Sequence, residues 1–286
     1  MIIILPMIVD FHTHIFSPSI REHREEYIKR DSCFALLYAN PKARLTTAEE
    51  LIASMDEAGV DHSVALNIGW SSHELCVETN DYILEAAARY PDRLSGFCCV
   101  QPAEGEVALM ELERCIDAGA RGLGEMRSDM QGFDPVNAAI MPPLVEIMAK
   151  HDMIFLTHSS EPAGHQYCGK GNITPGILYS FLARFPELKL VCAHWGGGLP
   201  FYALMPEVSR ALSNVFYDTA ATIFLYQPQI FSCVGSLVGS DKILFGSDYP
   251  LIAQERIISH IQSLEIPAED KQRILGGNAA KLLFGC

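Results

Sequence analysis

Eight apolar runs, each six or seven residues long, recur along the chain at 8–14, 62–68, 94–100, 120–126, 153–158, 188–194, 214–219 and 242–248. Short continuous runs rich in Val, Ile, Leu and Phe predict strands buried on both faces, as in a parallel sheet. Between them the apolar spacing changes to that of helices. Residues 47–59 open on Thr47 with Glu50 three positions later, the spacing of a capping box, and stop at Gly59. Comparable spacing marks 74–90, 106–118, 142–150, 175–185 and 206–212. Segments 223–238 and 251–264 are less regular, and Asn278 caps a last helix at 278–284.

Parallel strands need helical crossovers, so eight strands alternating with eight helices predict a (β/α)8 TIM barrel, a single domain over residues 1–286. A doubly wound open sheet is the alternative, but it gives the eighth strand no reason to carry chemistry matching the first. A lid-like insertion follows the first strand, at about 16–44. It mixes Arg21, Arg24, Lys29 and Arg30 with Tyr27, Phe34, Leu36 and Leu37. Loops of this length are usually lids or binding segments; a surface excursion or a subunit contact accounts for it equally well.

Composition narrows the class. Apolar residues make up 49% and charged ones 20%, the balance of a soluble globular protein. With 21 basic against 35 acidic residues the net charge is −14, and no basic stripe is present to displace counterions from phosphates. No nucleic acid is therefore expected as a partner. The apolar N-terminus, 1–9, is too short to span a membrane and lacks a basic leader. It reads as the lead into a buried strand whose start Pro6 limits. Nine scattered cysteines without a CxxC pair make neither a disulfide framework nor a thiolate zinc site. A cytoplasmic protein with no membrane association is expected.

Polar residues at the strand ends carry the chemistry. The first strand ends Asp10-Phe11-His12-Thr13-His14, and side chains two apart in a strand project the same way, so His12 and His14 can meet one cation. The fifth strand ends at His158, the sixth at His194 and the eighth at Asp248. In a barrel these ends converge on one crevice. Their nitrogen and oxygen donors suit one divalent metal, Zn2+ best, with Mn2+, Fe2+, Co2+ or Ni2+ also accommodated.

The set of motifs, DFHTH at 10–14, His158, HWGGG at 194–198, FGSDYP at 245–250 and GNAAKLL at 277–283, resembles the amidohydrolase superfamily. More narrowly, it is similar to the amidohydrolase-2 group that includes the aminocarboxymuconate semialdehyde decarboxylase branch. The resemblance covers essentially the whole chain. It implies that His12, His14, His158 and Asp248 bind the metal, with Asp248 also touching the catalytic water. It implies that His194 polarises the substrate or handles a proton. It further implies a small-molecule substrate and a homodimer. Glu125, at the end of the fourth strand, matches a position where some relatives bridge two metals; a substrate-binding role and a pairing with Arg127 are equally open.

After the fifth strand, the loop 159–171 offers His165, Tyr167 and Lys170 as substrate contacts, or forms an ordered polar surface loop. Lys170 or Arg127 could pair with a substrate carboxylate. Trp70 and Trp195 follow strand ends and form apolar walls of the site or simply core.

The leading expectation is a metal-dependent hydrolase that uses an activated water to cleave an amide, ester or lactone, with Asp248 as base and His194 assisting. The alternative is a metal-dependent decarboxylase acting on an unsaturated carboxylic acid, with Arg44, Arg127 or Lys170 holding its carboxylate. A non-catalytic metal-binding barrel is the third reading. The strand-end residues alone do not separate these chemistries.

Overall fold

A computed structural model describes residues 7–137 and 139–285. The expectations for residues 1–6, Pro6 included, and for Cys286 lie outside the described residues.

The eight strands are β1 (Val9–His14), β2 (His62–Leu66), β3 (Leu94–Cys98), β4 (Gly122–Met126), β5 (Ile154–Thr157), β6 (Lys189–Cys192), β7 (Val215–Asp218) and β8 (Ile243–Leu244). They pair in parallel in sequence order. Backbone bonds from Phe11 N–H to Phe245 O and from His14 N–H to Tyr249 O, both 2.7 Å, join the last strand to the first. The predicted TIM barrel is the observed fold.

Two apolar layers hold it. Val9, Phe11, Val64, Leu66, Phe97, Ile154, Leu156, Val191, Ala193 and Leu244 fill the barrel interior, while a larger cluster lies between the strands and the surrounding helices. Gly122 makes room inside, because a Cβ there would lie 2.3 Å from the Phe97 ring. Among the described residues no helix is long and apolar enough to cross a membrane. All eight described cysteines are free, and six of them are buried.

Differences from the sequence reading have local causes. The helix at 47–59 forms as Ala48–Ala58 with both halves of the capping box and a left-handed Gly59. The helix expected at 223–238 is two, Thr222–Leu225 and Ile230–Val238, with Pro228 in the break between them. β8 stops at Leu244, short of Asp248. The residues beyond it stay on β1 through Phe245 O, Asp248 N–H and Tyr249 O, and Ser247 bonds Asp10 through both its N–H (2.9 Å) and its hydroxyl (2.5 Å). Asp248 then turns into the left-handed region with φ 64. The 16–44 segment contains three short helices, Pro18–Glu22, Arg24–Arg30 and Ser32–Tyr38. They bury Ile20, Tyr27, Phe34 and Tyr38, and the Phe34 ring stacks on Trp70 at 5.3 Å.

Candidate active site

β1 carries two imidazoles to the C-terminal mouth. A register shift between Asp10 and Thr13 interrupts strict alternation there. Phe11 can therefore remain in the inner core while His12 and His14 converge, their Nε2 atoms 3.1 Å apart. His12 Nδ1 donates to Asp218 Oδ2 at 2.8 Å, which turns Nε2 towards the site. Asp248 Oδ1 lies 3.8 Å from His12 Nε2 and 3.5 Å from His14 Nε2. On the other side, Glu125 Oε2 is 3.9 Å from each of those nitrogens.

His194 sits on a backbone turn of unusual hand. His194, Trp195, Gly196, Gly197 and Gly198 all have positive φ, from 53 to 94. The turn is crowded as well as left-handed: a Cβ on Gly197 would lie 2.3 Å from Ser160 O. Such backbone is strained for His194 and Trp195, and glycine removes that cost in the following three positions. The turn is pinned by His194 N–H donating to Asp218 Oδ1 at 2.9 Å, and by the contact of His194 Nδ1 with Ala220 O at 3.1 Å. Its Nε2 then faces Glu125 Oε1 at 3.5 Å. His158 Nδ1 also meets Glu125 Oε1, at 2.9 Å, while its Nε2 lies 3.0 Å from Ser160 Oγ.

Two overlapping donor sets emerge whose ligand atoms lie within 4.8 Å of one another: His12, His14 and Asp248, and His12, Glu125 and His194. His158 stands beside these sets rather than in either, aimed at Glu125 and Ser160.

The electrostatics favour a cation. Burial disfavours imidazolium at His12, but Asp218, Glu125 and Asp248 outweigh it and push its pKa up to about 10. Burial also opposes ionisation of Glu125, yet the imidazoles of His158, His194 and His12 hold it well below the ordinary carboxylate value. Asp248 is held down to about 2, burial being overcome by the His14 bond and the charges of His12 and His194. His158 falls to about 4 through burial and the nearby Arg127, so it is neutral and its Nδ1–H can serve Glu125. Burial lowers His194, but its bond to Glu125 and the charge of Asp248 leave it raised. Three carboxylates around four imidazoles, with His12 Nε2 directed inward and able to exchange its proton for a cation, fit a divalent metal.

The cluster opens into a cavity of about 480 Å³. His14, Glu125, Arg127, His158, His194 and Asp248 line its inner end, and Arg44, His165 and Tyr167 line it farther out. Arg127 is 1% exposed; its guanidinium donates to Gly169 O at 2.8 Å and lies 3.5 Å from Asp129. Two expected substrate contacts need correction. Lys170 spends its ammonium on Ala163 O and His165 O, at 2.7 and 3.1 Å, bracing its own loop outside the cavity lining. Trp70 is fully buried, bonded to Asn67 and stacked on Phe34. Trp195 is buried too, bonded to Thr222 at 2.8 Å. Both tryptophans are core.

Sequence reasoning missed Asp218. Its signal was a lone acid at the end of β7, which no motif marks. Ser160, Tyr38, Phe224 and Leu251 were also passed over, since nothing in the pattern distinguishes them from ordinary loop or helix residues.

The profile of the amidohydrolase family matches residues 9–285. The chain belongs to that family. Within it, the chain falls in the amidohydrolase-2 group related to aminocarboxymuconate semialdehyde decarboxylase. It is 23% identical to a gamma-resorcylate decarboxylase of Polaromonas sp., over 83% of this chain and 87% of that one. It is 23% identical to 2-amino-3-carboxymuconate-6-semialdehyde decarboxylase of Dictyostelium discoideum, over 96% and 91%. In fold it resembles 5-carboxyvanillate decarboxylase of Novosphingobium aromaticivorans, solved with manganese and 4-hydroxy-3-methoxy-5-nitrobenzoic acid. That likeness has a TM-score of 0.78 at 18% identity, covering 97% of this chain and 96% of that one. These relatives overturn hydrolysis as the leading expectation. They are carbon–carbon lyases, the second of the three reactions weighed from the sequence.

Proposed function

We propose that this amidohydrolase-family enzyme is a metal-dependent, non-oxidative decarboxylase of a small aromatic or unsaturated carboxylic acid. The observation that carries the reading is one cavity lined both by His14 and Asp248 of the His12–His14–Asp248 cluster and by the buried Arg127 guanidinium. His12, His14 and Asp248 would hold the cation, with Glu125 and His194 facing the same space. Its character follows the manganese of the carboxyvanillate relative more closely than the zinc suggested by donor type alone. When bound, the cation supplies positive charge beside the substrate's oxygen atoms and stabilises the electron-rich form of its carbon skeleton.

This chain's residues supply the rest. Arg127 offers a fixed guanidinium to a carboxylate. His194, its Nδ1 engaged by Ala220 O, presents Nε2 to the cavity and can deliver a proton to the carbon that bears the carboxylate. As that C–H bond forms, the carbon–carboxylate bond breaks. Its electron pair restores the unsaturated system, and CO2 departs. Asp248, ionised and fixed by the turn after β8, can accept a proton from a substrate hydroxyl and return it once CO2 has left, and His194 takes up a proton from water to restore the site to its starting state.

The test is to incubate manganese-loaded protein with ortho-hydroxybenzoates and unsaturated dicarboxylates in D2O. CO2 release with one deuterium at the vacated carbon supports the proposal. Cleavage of amides, esters or lactones with no CO2 from any acid sinks it.

A further inference from the structure

The inner end of the cavity is polar, and its mouth sets apolar side chains beside Arg44, His165 and Tyr167. Leu37, Phe224, Leu225 and Leu251 form the apolar side. Phe224 is 51% exposed and Leu251 62% exposed. Neither hangs from a loose segment. Thr222, at the start of the Thr222–Leu225 turn, is held by Trp195 Nε1 at 2.8 Å, and the Arg256 guanidinium sits 5.9 Å from the Phe224 ring centroid. Leu251 N–H donates to Asp248 O at 2.8 Å, so the turn that carries the catalytic carboxylate also carries this rim residue. Large apolar side chains kept in water on fixed turns mark a surface that something covers. These two line the same cavity as His14 and Asp248, and a cavity of about 480 Å³ lies in the range that encloses a ligand larger than one small ring.

We infer that the natural acid is an extended one. Its carboxylate lies at the Arg127 end, and an apolar substituent, an alkyl chain or a second ring, runs out against Phe224 and Leu251. This inference rests on the decarboxylase reading. It adds that specificity is set at the mouth, by residues that touch no reacting atom. With the carboxylate innermost, the ring position opposite it points outward, and that is where the substituent belongs.

The experiment compares 2-hydroxybenzoates carrying hydrogen, propyl or phenyl at that opposite position, using manganese-loaded enzyme. Wild type should show kcat/KM at least about tenfold higher for the propyl and phenyl acids, the scale of one methylene in an enclosed apolar pocket. A Phe224→Ser/Leu251→Ser double variant should bring that ratio near one. Both positions are exposed, so the variant should fold, which circular dichroism and the thermal midpoint check. A wild-type ratio near one, or a ratio that the double variant leaves unchanged, overturns the inference. An unchanged ratio together with a loss of self-association in the variant would assign the rim to a second copy of the chain instead. If no acid is turned over, the decarboxylase reading itself fails, and calorimetric binding of the matching phenols then decides the mouth alone. At least tenfold tighter binding of the extended phenols to wild type, lost in the variant, supports it, and equal binding refutes it.

Discussion

At the scale of single residues, the site depends on groups that never reach the cavity. Asp218 binds His12 Nδ1 with one oxygen and the His194 backbone N–H with the other, at 2.8 and 2.9 Å. It therefore orients a candidate ligand and places the candidate proton donor together. Asp218→Asn should weaken manganese affinity by roughly 10- to 100-fold, a loss read by competition with a chelator. An unchanged affinity would reduce Asp218 to a packing role. Arg127 poses a different question, because stability and the proposed substrate binding share one guanidinium. Arg127→Met leaves Asp129 without its nearby cation, and a loss of about 3–5 kcal/mol in denaturant unfolding is expected. Adding Asp129→Asn should recover much of that stability without restoring kcat/KM for a carboxylate substrate. His12, His14, Glu125, His158, His194 and Asp248 were legible as candidates because each lies at or just beyond the C-terminal end of a strand, and those ends converge. Asp218 was not, since its partner lies 206 positions away in sequence. Only the barrel's stacking of alternate strands into layers brings β7 and β1 to the same level.

At the scale of elements, the left-handed turn after β6 is the most exacting. Gly197→Ala places a methyl group into Ser160 O on a backbone of φ 57. The left-handed conformation alone costs roughly 1–2 kcal/mol, and the clash adds to it. The expected outcome is a lower urea midpoint together with a fall in kcat, as the turn and His194 shift. The motif HWGGG showed that something unusual happens at this point, but hydrophobic period could not show its hand. Similarly, the period gave 223–238 as one segment because apolar spacing persists across Pro228, whereas the missing donor breaks the helix. At the opposite end of the barrel, β2 begins with His62, bonded to Ser95 at 2.9 Å. Burial holds its imidazole below its ordinary value despite the Asp92 carbonyl. The unfolded chain therefore takes up that proton at a higher pH than the folded one, and stability falls as pH drops through about 6.5 and below. Thermal midpoints between pH 7.5 and 5.0 should fall less steeply for His62→Gln than for wild type.

For the whole molecule, the eightfold alternation made the barrel readable. The run lengths fixed strands, the spacing between them fixed helices, and parallel pairing followed from the crossovers. The reaction was less readable, because hydrolysis and decarboxylation ask the same residues for the same services. Binding of a cation at the His12–His14–Asp248 cluster couples to the stability of the entire barrel. At about one hundred times its dissociation constant, manganese should add about 2.7 kcal/mol, seen as a rise of several degrees in the thermal midpoint. A chelator should remove the rise, and Asp248→Ala should never show it. The same cluster straddles the join between first and last strands, where Ser247 and Asp10 meet across 237 positions. During synthesis the candidate ligands His12 and His14 therefore leave the ribosome long before Asp248 is made. A growing chain can hold no complete donor set until the whole barrel span between them has been translated, so metal uptake at this site has to wait for the last strand.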